Sequence, residues 1–290
     1  MSTYNDLVHT SADGLRLYAR DYPAHAGPAR LPVICIHGLT RNSADFEDVA
    51  PWIAGQGRRV LAVDVRGRGR SAHDPDPRRY VPMTYAGDVI KLAHDLGIAR
   101  AVFIGTSMGG LVILTIALRR QSLIAAAVLN DAGPTVSLSA LARIADYVGK
   151  PVRVSSWDEA TAHVRGLHGA AFPDLPPEEW LRWARRAFEE TAPGVFKQRH
   201  DPAIATPFRT DRLRNTHWIA RYAFRRLART RPTLLVRGGN SDVIEPDHVA
   251  WMRAAAPRLQ VAEVPGVGHA PTLMEPTAQT ALRDFLARVD

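Results

Sequence analysis

The chain of 290 residues contains a single cysteine, Cys35, and therefore has no partner for an internal disulfide. Because Cys35 lies inside the apolar run 31–36, we expect a buried and inert thiol rather than a nucleophile. No run of about 18 apolar residues is present, and residues 1–10 lack the basic-then-apolar order of a secretory signal. These absences favour a globular, cytoplasmic protein without a membrane partner.

Lysine is scarce as well, with three lysines among 37 basic residues, although the formal net charge is +8. The arginines form no basic tract interleaved with aromatic residues and no helix-turn-helix pattern, which argues against nucleic acid as a partner. The histidines are scattered and show no zinc-ligand spacing. We therefore expect neither a metal nor a cofactor, and a small molecule as the binding partner.

The apolar pattern predicts an α/β fold. Asp13-Gly14 is a turn signal between two partly alternating segments, which predicts a β-hairpin over residues 4–10 and 15–22. Continuous apolar runs, typical of strands covered on both faces, follow at 31–36, 59–64, 101–105, 125–130, 233–237 and 259–264. Segments of helical spacing separate most of these runs, at 45–55, 85–96, 108–120, 246–255 and 276–289. This alternation indicates a doubly wound, mostly parallel sheet.

One interval is too long for a simple crossover between strands. Residues 134–230 contain helical stretches at 138–148 and 178–190, separated by prolines. We therefore predict a core formed by residues 1–133 and 231–290, with a helical cap at 134–230.

The predicted cap holds 16 Lys and Arg against 10 Asp and Glu. A solvated helical surface and an attraction for anionic substrates are both consistent with that excess. Four tryptophans also lie in the cap, where helical spacing favours packing over ligand contact: Trp157, Trp180, Trp183 and Trp218.

The strongest local motif is Gly105-Thr106-Ser107-Met108-Gly109, between a predicted strand and a predicted helix. A sharp strand-to-helix turn presents a serine hydroxyl for attack on a carbonyl, and the glycines leave room for that turn. Because a serine hydroxyl is a weak nucleophile, it needs a base to accept its proton. The motif predicts that Ser107 is a catalytic nucleophile.

The predicted base and acid follow two later strands. His269 comes after the run that ends at residue 264, and Asp242 comes after the run that ends at residue 237. Both positions lie where a parallel sheet collects its functional loops. We predict His269 as the base and Asp242 as the acid that orients it. Asp131 also ends a strand near the nucleophile and is the alternative acid, with a loop-bracing role as its other interpretation.

Attack on a carbonyl generates an oxyanion, which requires hydrogen-bond donors. The expected donors are the backbone N–H groups of Met108, directly after the nucleophile, and of Leu39, in the loop that follows the strand ending at residue 36. His37 precedes a glycine in that loop, and we assign it a structural hydrogen-bonding role rather than the role of base.

Together these motifs resemble the α/β-hydrolase superfamily, and the resemblance covers nearly the whole chain outside the cap. The matching segments are residues 37–40, 64–71, 105–110, 239–242 and 268–269. The resemblance implies an eight-stranded sheet whose second strand is antiparallel, helices on both faces, and a cap inserted after the sixth strand. It also implies the triad Ser107, Asp242 and His269, and a structural turn at residues 64–71 rather than a phosphate loop.

Serine at position 107 narrows the predicted chemistry. Haloalkane dehalogenases and epoxide hydrolases, which this chain resembles, use aspartate there and form an alkyl-enzyme ester, whereas serine forms an acyl-enzyme. We therefore predict a carboxylesterase or lactonase without a cofactor. A C–C bond hydrolase of the same fold and a small-molecule receptor with a vestigial triad are the alternatives.

Overall fold

The computed structural model describes residues 3–25, 30–209 and 217–289. The strands of these ranges are β1 (Asn5–Thr10), β2 (Arg16–Tyr22), β3 (Val33–Ile36), β4 (Val60–Asp64), β5 (Ala101–Thr106), β6 (Ile124–Asn130), β7 (Phe188–Ala192), β8 (Val195–Gln198), β9 (Thr233–Gly238) and β10 (Gln260–Val264). Eight of them form one sheet in the order β1-β2-β4-β3-β5-β6-β9-β10. β2 runs antiparallel to both neighbours and the other pairs are parallel, which confirms the mostly parallel eight-stranded sheet.

Helices cover both faces of this sheet. The α-helices are α1 (Val49–Ala54), α2 (Pro82–Asp95), α3 (Met108–Arg120), α4 (Leu138–Tyr147), α5 (Trp157–His168), α6 (Pro177–Ala187), α7 (Thr206–Arg209), α8 (His217–Thr230), α9 (Pro246–Ala255) and α10 (Pro276–Leu286). Buried residues of α2, α3, α8 and α9 pack on one face, and those of α1 and α10 pack on the other. Within the described ranges, no helix has both the length and the apolar character needed to cross a bilayer.

The continuous apolar runs are explained by this two-sided covering. In β3 all four side chains are buried. Ile34 and Ile36 pack toward α2 and α3, while Val33 and Cys35 pack toward α1 and α10. Since successive strand residues point to opposite faces, a strand between two helical layers has no polar face. Cys35 is fully buried, as expected, and burial raises the pKa of its thiol.

Part of the segment 134–230 forms its own small apolar cluster. It is built by Ala160, Val164, Phe172, Trp180, Ala184 and Phe188 from α5, α6 and the segments beside them. The continuous helix predicted at 178–190 is wrong, because α6 ends at Ala187 and the chain turns into the β7–β8 hairpin. Gly194 lies in the turn of this hairpin with a φ of 73°, a left-handed conformation that glycine adopts without strain.

The last helix of this segment, α8, packs into the main apolar core, whereas α5 and α6 contribute to the separate small cluster. Its buried Phe224 and Leu227 belong to the main apolar core, and the helix packs against α3. α6 also forms polar contacts outside residues 134–230. Arg182 and Arg186 on α6 form ion pairs with Asp48 of the sheet domain. The division of the chain into a core and a cap at residues 134 and 230 stays a prediction.

Candidate active site

Ser107 occupies a strained turn between β5 and α3, with φ 52° and ψ −114°. The left-handed φ is unusual for a residue other than glycine and marks a functional turn when the surrounding structure enforces it. Two glycines make that turn possible. A Cβ at Gly109 would collide with the carbonyl oxygen of Ile36, and a Cβ at Gly105 would lie 2.5 Å from the backbone of Gly109.

The Ser107 hydroxyl lies beside the imidazole of His269. His269 Nε2 is 2.9 Å from Ser107 Oγ, and His269 Nδ1 is 3.2 Å from Asp131 Oδ2. Asp131 is fully buried. With the ring proton on Nδ1, that nitrogen donates to the carboxylate, and Nε2 is free to accept the serine proton. The structure therefore brings together a serine hydroxyl, an imidazole and a carboxylate, and the carboxylate is that of Asp131.

The structure does not bring Asp242 to His269. The Asp242 carboxylate accepts two hydrogen bonds from Arg143 on α4, from Nε and Nη2, both at 2.9 Å. Its side chain is 49% exposed. The loop around Asp242 is held by Arg237, whose guanidinium donates to the carbonyls of Ser241, before Asp242, and of Ile244, after it. This closed loop directs Asp242 toward α4, so the expected contact between Asp242 and His269 is wrong.

The order of the strands explains why Asp131 takes that place. β6, which ends immediately before Asp131, is the direct neighbour of β5, whereas β9 lies one strand further away. The Asp131 N–H donates to the Val236 carbonyl at 2.7 Å, which anchors the backbone. The side chain of Asn130 donates to the carbonyl of Pro271 at 2.8 Å, close after His269. In the sequence, the signal for Asp131 was its position directly after a predicted strand, in the pair Asn130-Asp131.

The predicted oxyanion donors lie next to Ser107. Among the described hydrogen bonds, none uses the N–H of Leu39 or of Met108. Arg68 is buried, and its Nε donates to the Leu39 carbonyl at 2.9 Å, while its Nη2 lies 3.8 Å from Met108 Sδ. This arginine braces both residues, and the sequence analysis did not identify it. It lies in the structural turn predicted at residues 64–71.

His37 supports the same loop. Its Nε2 accepts the N–H of Val65 at 3.2 Å, so the ring proton is on Nδ1, which lies 2.7 Å from the Gly38 carbonyl. Burial lowers the pKa of His37 to about 4, so the ring is neutral at pH 7. These contacts confirm a structural hydrogen-bonding role for His37.

Comparison with known proteins agrees with this architecture. The family model described as "alpha/beta hydrolase fold" matches residues 32–276. The chain belongs to this family. It is 36% identical to the 3-hydroxybutyrate-oligomer hydrolase of Cupriavidus necator over 92% of each chain. It is 28% identical to the mouse sn-1-specific diacylglycerol lipase ABHD11, over 88% of this chain and 80% of the lipase. The crystal structure of an alpha/beta hydrolase from Novosphingobium aromaticivorans superposes with a TM-score of 0.89 at 40% identity, covering both chains completely.

Two cavities of this alpha/beta hydrolase meet at Ser107. The larger has a volume of about 690 Å³ and the smaller about 560 Å³. Leu39, Ser107 and Ile144 line both, so the two nonpolar side chains lie at the boundary between the cavities. The larger cavity is lined by, among others, Arg41, Tyr147, His168, Phe172, Trp183 and His269. The smaller is lined by, among others, Tyr85, Met108, Leu111, Val136, Leu141 and Val243.

The larger cavity carries no excess of positive charge among its described residues. Its arginine and carboxylate side chains are Arg41, Arg182, Arg186, Asp45, Asp48, Asp174, Glu179 and Glu275. Arg41 donates to both carboxylate oxygens of Asp45, at 2.7 and 2.6 Å. Arg182 and Arg186 of α6 pair with Glu47 and Asp48. This pairing gives no support to an anionic substrate, and it explains part of the arginine excess of residues 134–230 as ion pairing.

Proposed function

We propose that this protein hydrolyses a carboxylic ester or lactone of a small molecule through an acyl-enzyme formed on Ser107. The observation that carries the proposal is the continuous hydrogen-bonded chain from Ser107 Oγ through the His269 ring to Asp131 Oδ2. A nucleophile, a base and an orienting carboxylate in this geometry form the machinery of acyl transfer. In this proposal Asp131 is the triad acid and Asp242 is not.

Acylation begins when His269 Nε2 accepts the proton of Ser107 and the serine oxygen attacks the ester carbonyl. The carbonyl oxygen becomes an oxyanion, which the N–H groups of Leu39 and Met108 stabilise. The buried carboxylate of Asp131 stabilises the imidazolium that has formed. When the tetrahedral intermediate collapses, His269 gives its proton to the leaving alcohol, and the acyl group remains on Ser107.

Deacylation repeats these steps with water. His269 accepts a proton from a water molecule, which attacks the acyl carbonyl, and the same two N–H groups stabilise the second oxyanion. Collapse of this intermediate breaks the bond to Ser107 Oγ, and His269 returns the proton to the serine. The net reaction consumes one water and releases an alcohol and a carboxylic acid.

The relatives support ester chemistry. A 3-hydroxybutyrate-oligomer hydrolase and a diacylglycerol lipase both act on molecules whose units are joined by ester bonds, and this chain matches most of the length of each. The shape of the site agrees, because two cavities on either side of the nucleophile provide separate space for the acyl and alcohol parts of an ester.

The test is hydrolysis of short- and medium-chain aryl esters and simple lactones by the wild type and by Ser107→Ala. We expect turnover by the wild type and a loss of at least about 10³-fold in the variant, because no other group takes the acyl chain. Circular dichroism of both proteins controls for folding. Full activity in Ser107→Ala would exclude Ser107 as the nucleophile, and a folded wild type without turnover would contradict the ester hydrolase.

A further inference from the structure

His168 is the last residue of α5, and its ring lines the larger cavity together with Ser107 and His269. Aromatic stacking fixes the plane of the ring. His168 stacks on Trp183 with 4.7 Å between the ring centroids and 14° between the planes. Trp183 in turn stacks on the buried Trp180, at 5.5 Å and 6°. The imidazole is therefore held in one orientation by a column of rings rather than by hydrogen bonds.

Among the hydrogen bonds of the described residues, none involves a ring nitrogen of His168. Burial, assisted by the charge of Arg41, lowers the pKa of His168 to about 3. The ring is consequently neutral at pH 7 and offers one N–H donor and one acceptor nitrogen to whatever enters the cavity.

The smaller cavity differs from the larger one in the polarity of its lining. Its described lining is mostly apolar, and its wall includes Leu111 on α3, Leu141 on α4 and Val243. The hydroxyl of Tyr85, which also borders it, is engaged by Arg68 Nη1 at 2.8 Å. This cavity suits a hydrocarbon group, since a polar group placed there would lose its hydrogen bonds to water.

From this asymmetry we propose that His168 is a specificity-determining residue that binds a neutral oxygen, a hydroxyl or a carbonyl, on the part of the substrate in the larger cavity. The part in the smaller cavity is a hydrocarbon chain. The proposal rests on the ester hydrolase function proposed above and specifies its substrate as an ester with one polar and one apolar side. A carboxylate is a poorer match, because a neutral ring gives no compensating charge.

The experiment compares esters that differ only by one hydroxyl. On the acyl side the pair is 4-nitrophenyl 3-hydroxybutyrate and 4-nitrophenyl butyrate, and on the alcohol side it is 3-hydroxybutyl butyrate and butyl butyrate. In the wild type we expect kcat/KM to favour the hydroxylated member of one pair by about 10-fold, the usual size of one hydrogen bond in a desolvated site.

Three variants test whether the His168 ring causes this preference for the hydroxylated ester. His168→Phe keeps a ring for stacking on Trp183 and removes both nitrogens, so the ratio of kcat/KM between the hydroxylated and the plain ester should fall to about 1. His168→Gln restores a donor and an acceptor and should recover part of the preference. His163→Phe, on the same helix and lining neither of the two cavities, should behave as the wild type.

Two outcomes overturn the proposal. One is a wild type that shows no hydroxyl preference in either pair, and the other is a preference that survives in a folded His168→Phe. Failure of the ester hydrolase function itself looks different, because the wild type would then leave all four esters intact or would lose no activity in Ser107→Ala.

Discussion

The loops after β6 and β9 place two aspartates near the same edge of the sheet, but in opposite surroundings. Asp131 follows β6 directly, is fully buried and contacts His269 Nδ1. Asp242 follows β9 after three loop residues, is 49% exposed and pairs with Arg143. Both residues are aspartates that follow a strand of the same sheet. They differ in exposure to solvent and in their partners, because Asp131 contacts the ring of His269 and Asp242 contacts the guanidinium of Arg143.

This difference decides which aspartate can act on His269. A carboxylate stabilises an imidazolium strongly when water is excluded, because the effective dielectric constant is then low. An exposed carboxylate that is already satisfied by an arginine contributes little to a distant histidine. In the proposed mechanism, the acid therefore comes from the loop after β6, the strand beside the one that carries Ser107.

The largest expected effect separates the two aspartates. Asp131→Asn removes the charge that stabilises protonated His269 and can reverse the tautomer of the ring, so kcat should fall by about 10³-fold or more. Asp242→Asn breaks only the ion pair with Arg143, and kcat should remain within about twofold of the wild type. Steady-state hydrolysis of a butyrate aryl ester measures both values.

Both substitutions are to asparagine, which keeps the size of the side chain, so the kcat values of the two variants can be compared directly. Thermal unfolding of both variants checks that the fold is intact. If Asp242→Asn lost as much activity as Asp131→Asn, the assignment of Asp131 as the triad acid would have no support.

Much of this site follows from the sequence alone. The eight-stranded sheet, the strained turn at Ser107 and the loop of His269 all depend on local patterns, in which an apolar strand is followed by glycines and one reactive residue. The contact between Ser107 and His269 was expected because carboxyl ends of parallel strands share one edge.

The identity of the aspartate that contacts His269 could not be predicted from the sequence, because it depends on the strand order and on the direction of the loop. Asp242 has the expected loop length and flanking glycines, but Arg237 beneath the loop and Arg143 on α4 turn its side chain away. Arg143 and Asp242 are 99 positions apart in the sequence, so no local spacing reveals their contact. The stacking of His168 on Trp183 was missed for the same reason.

A second prediction, with a smaller expected effect, concerns whether Asp242 can replace Asp131 when its ion pair with Arg143 is removed. The double variant Asp131→Asn with Arg143→Ala frees the Asp242 carboxylate from its partner. We expect kcat to stay within about twofold of Asp131→Asn alone, because the closed loop held by Arg237, and not the ion pair by itself, sets the direction of Asp242. Recovery of 10-fold or more in activity would show that Asp242 reaches His269, and that the two carboxylates are interchangeable.

The smallest expected effect concerns what Asp242 does instead. Its pairing with Arg143 joins the β9 loop to α4, the helix that carries Ile144 between the two cavities. Because both side chains are almost half exposed, a double-mutant cycle with Asp242→Ala and Arg143→Ala should give a coupling of about 0.5 kcal/mol in the free energy of unfolding. Urea denaturation at low and high salt measures this coupling, and screening should reduce it at high salt. A coupling several times larger that persists at high salt would mean that Asp242 is a principal anchor of α4, and the contrast between a buried catalytic carboxylate and a dispensable exposed one would no longer hold.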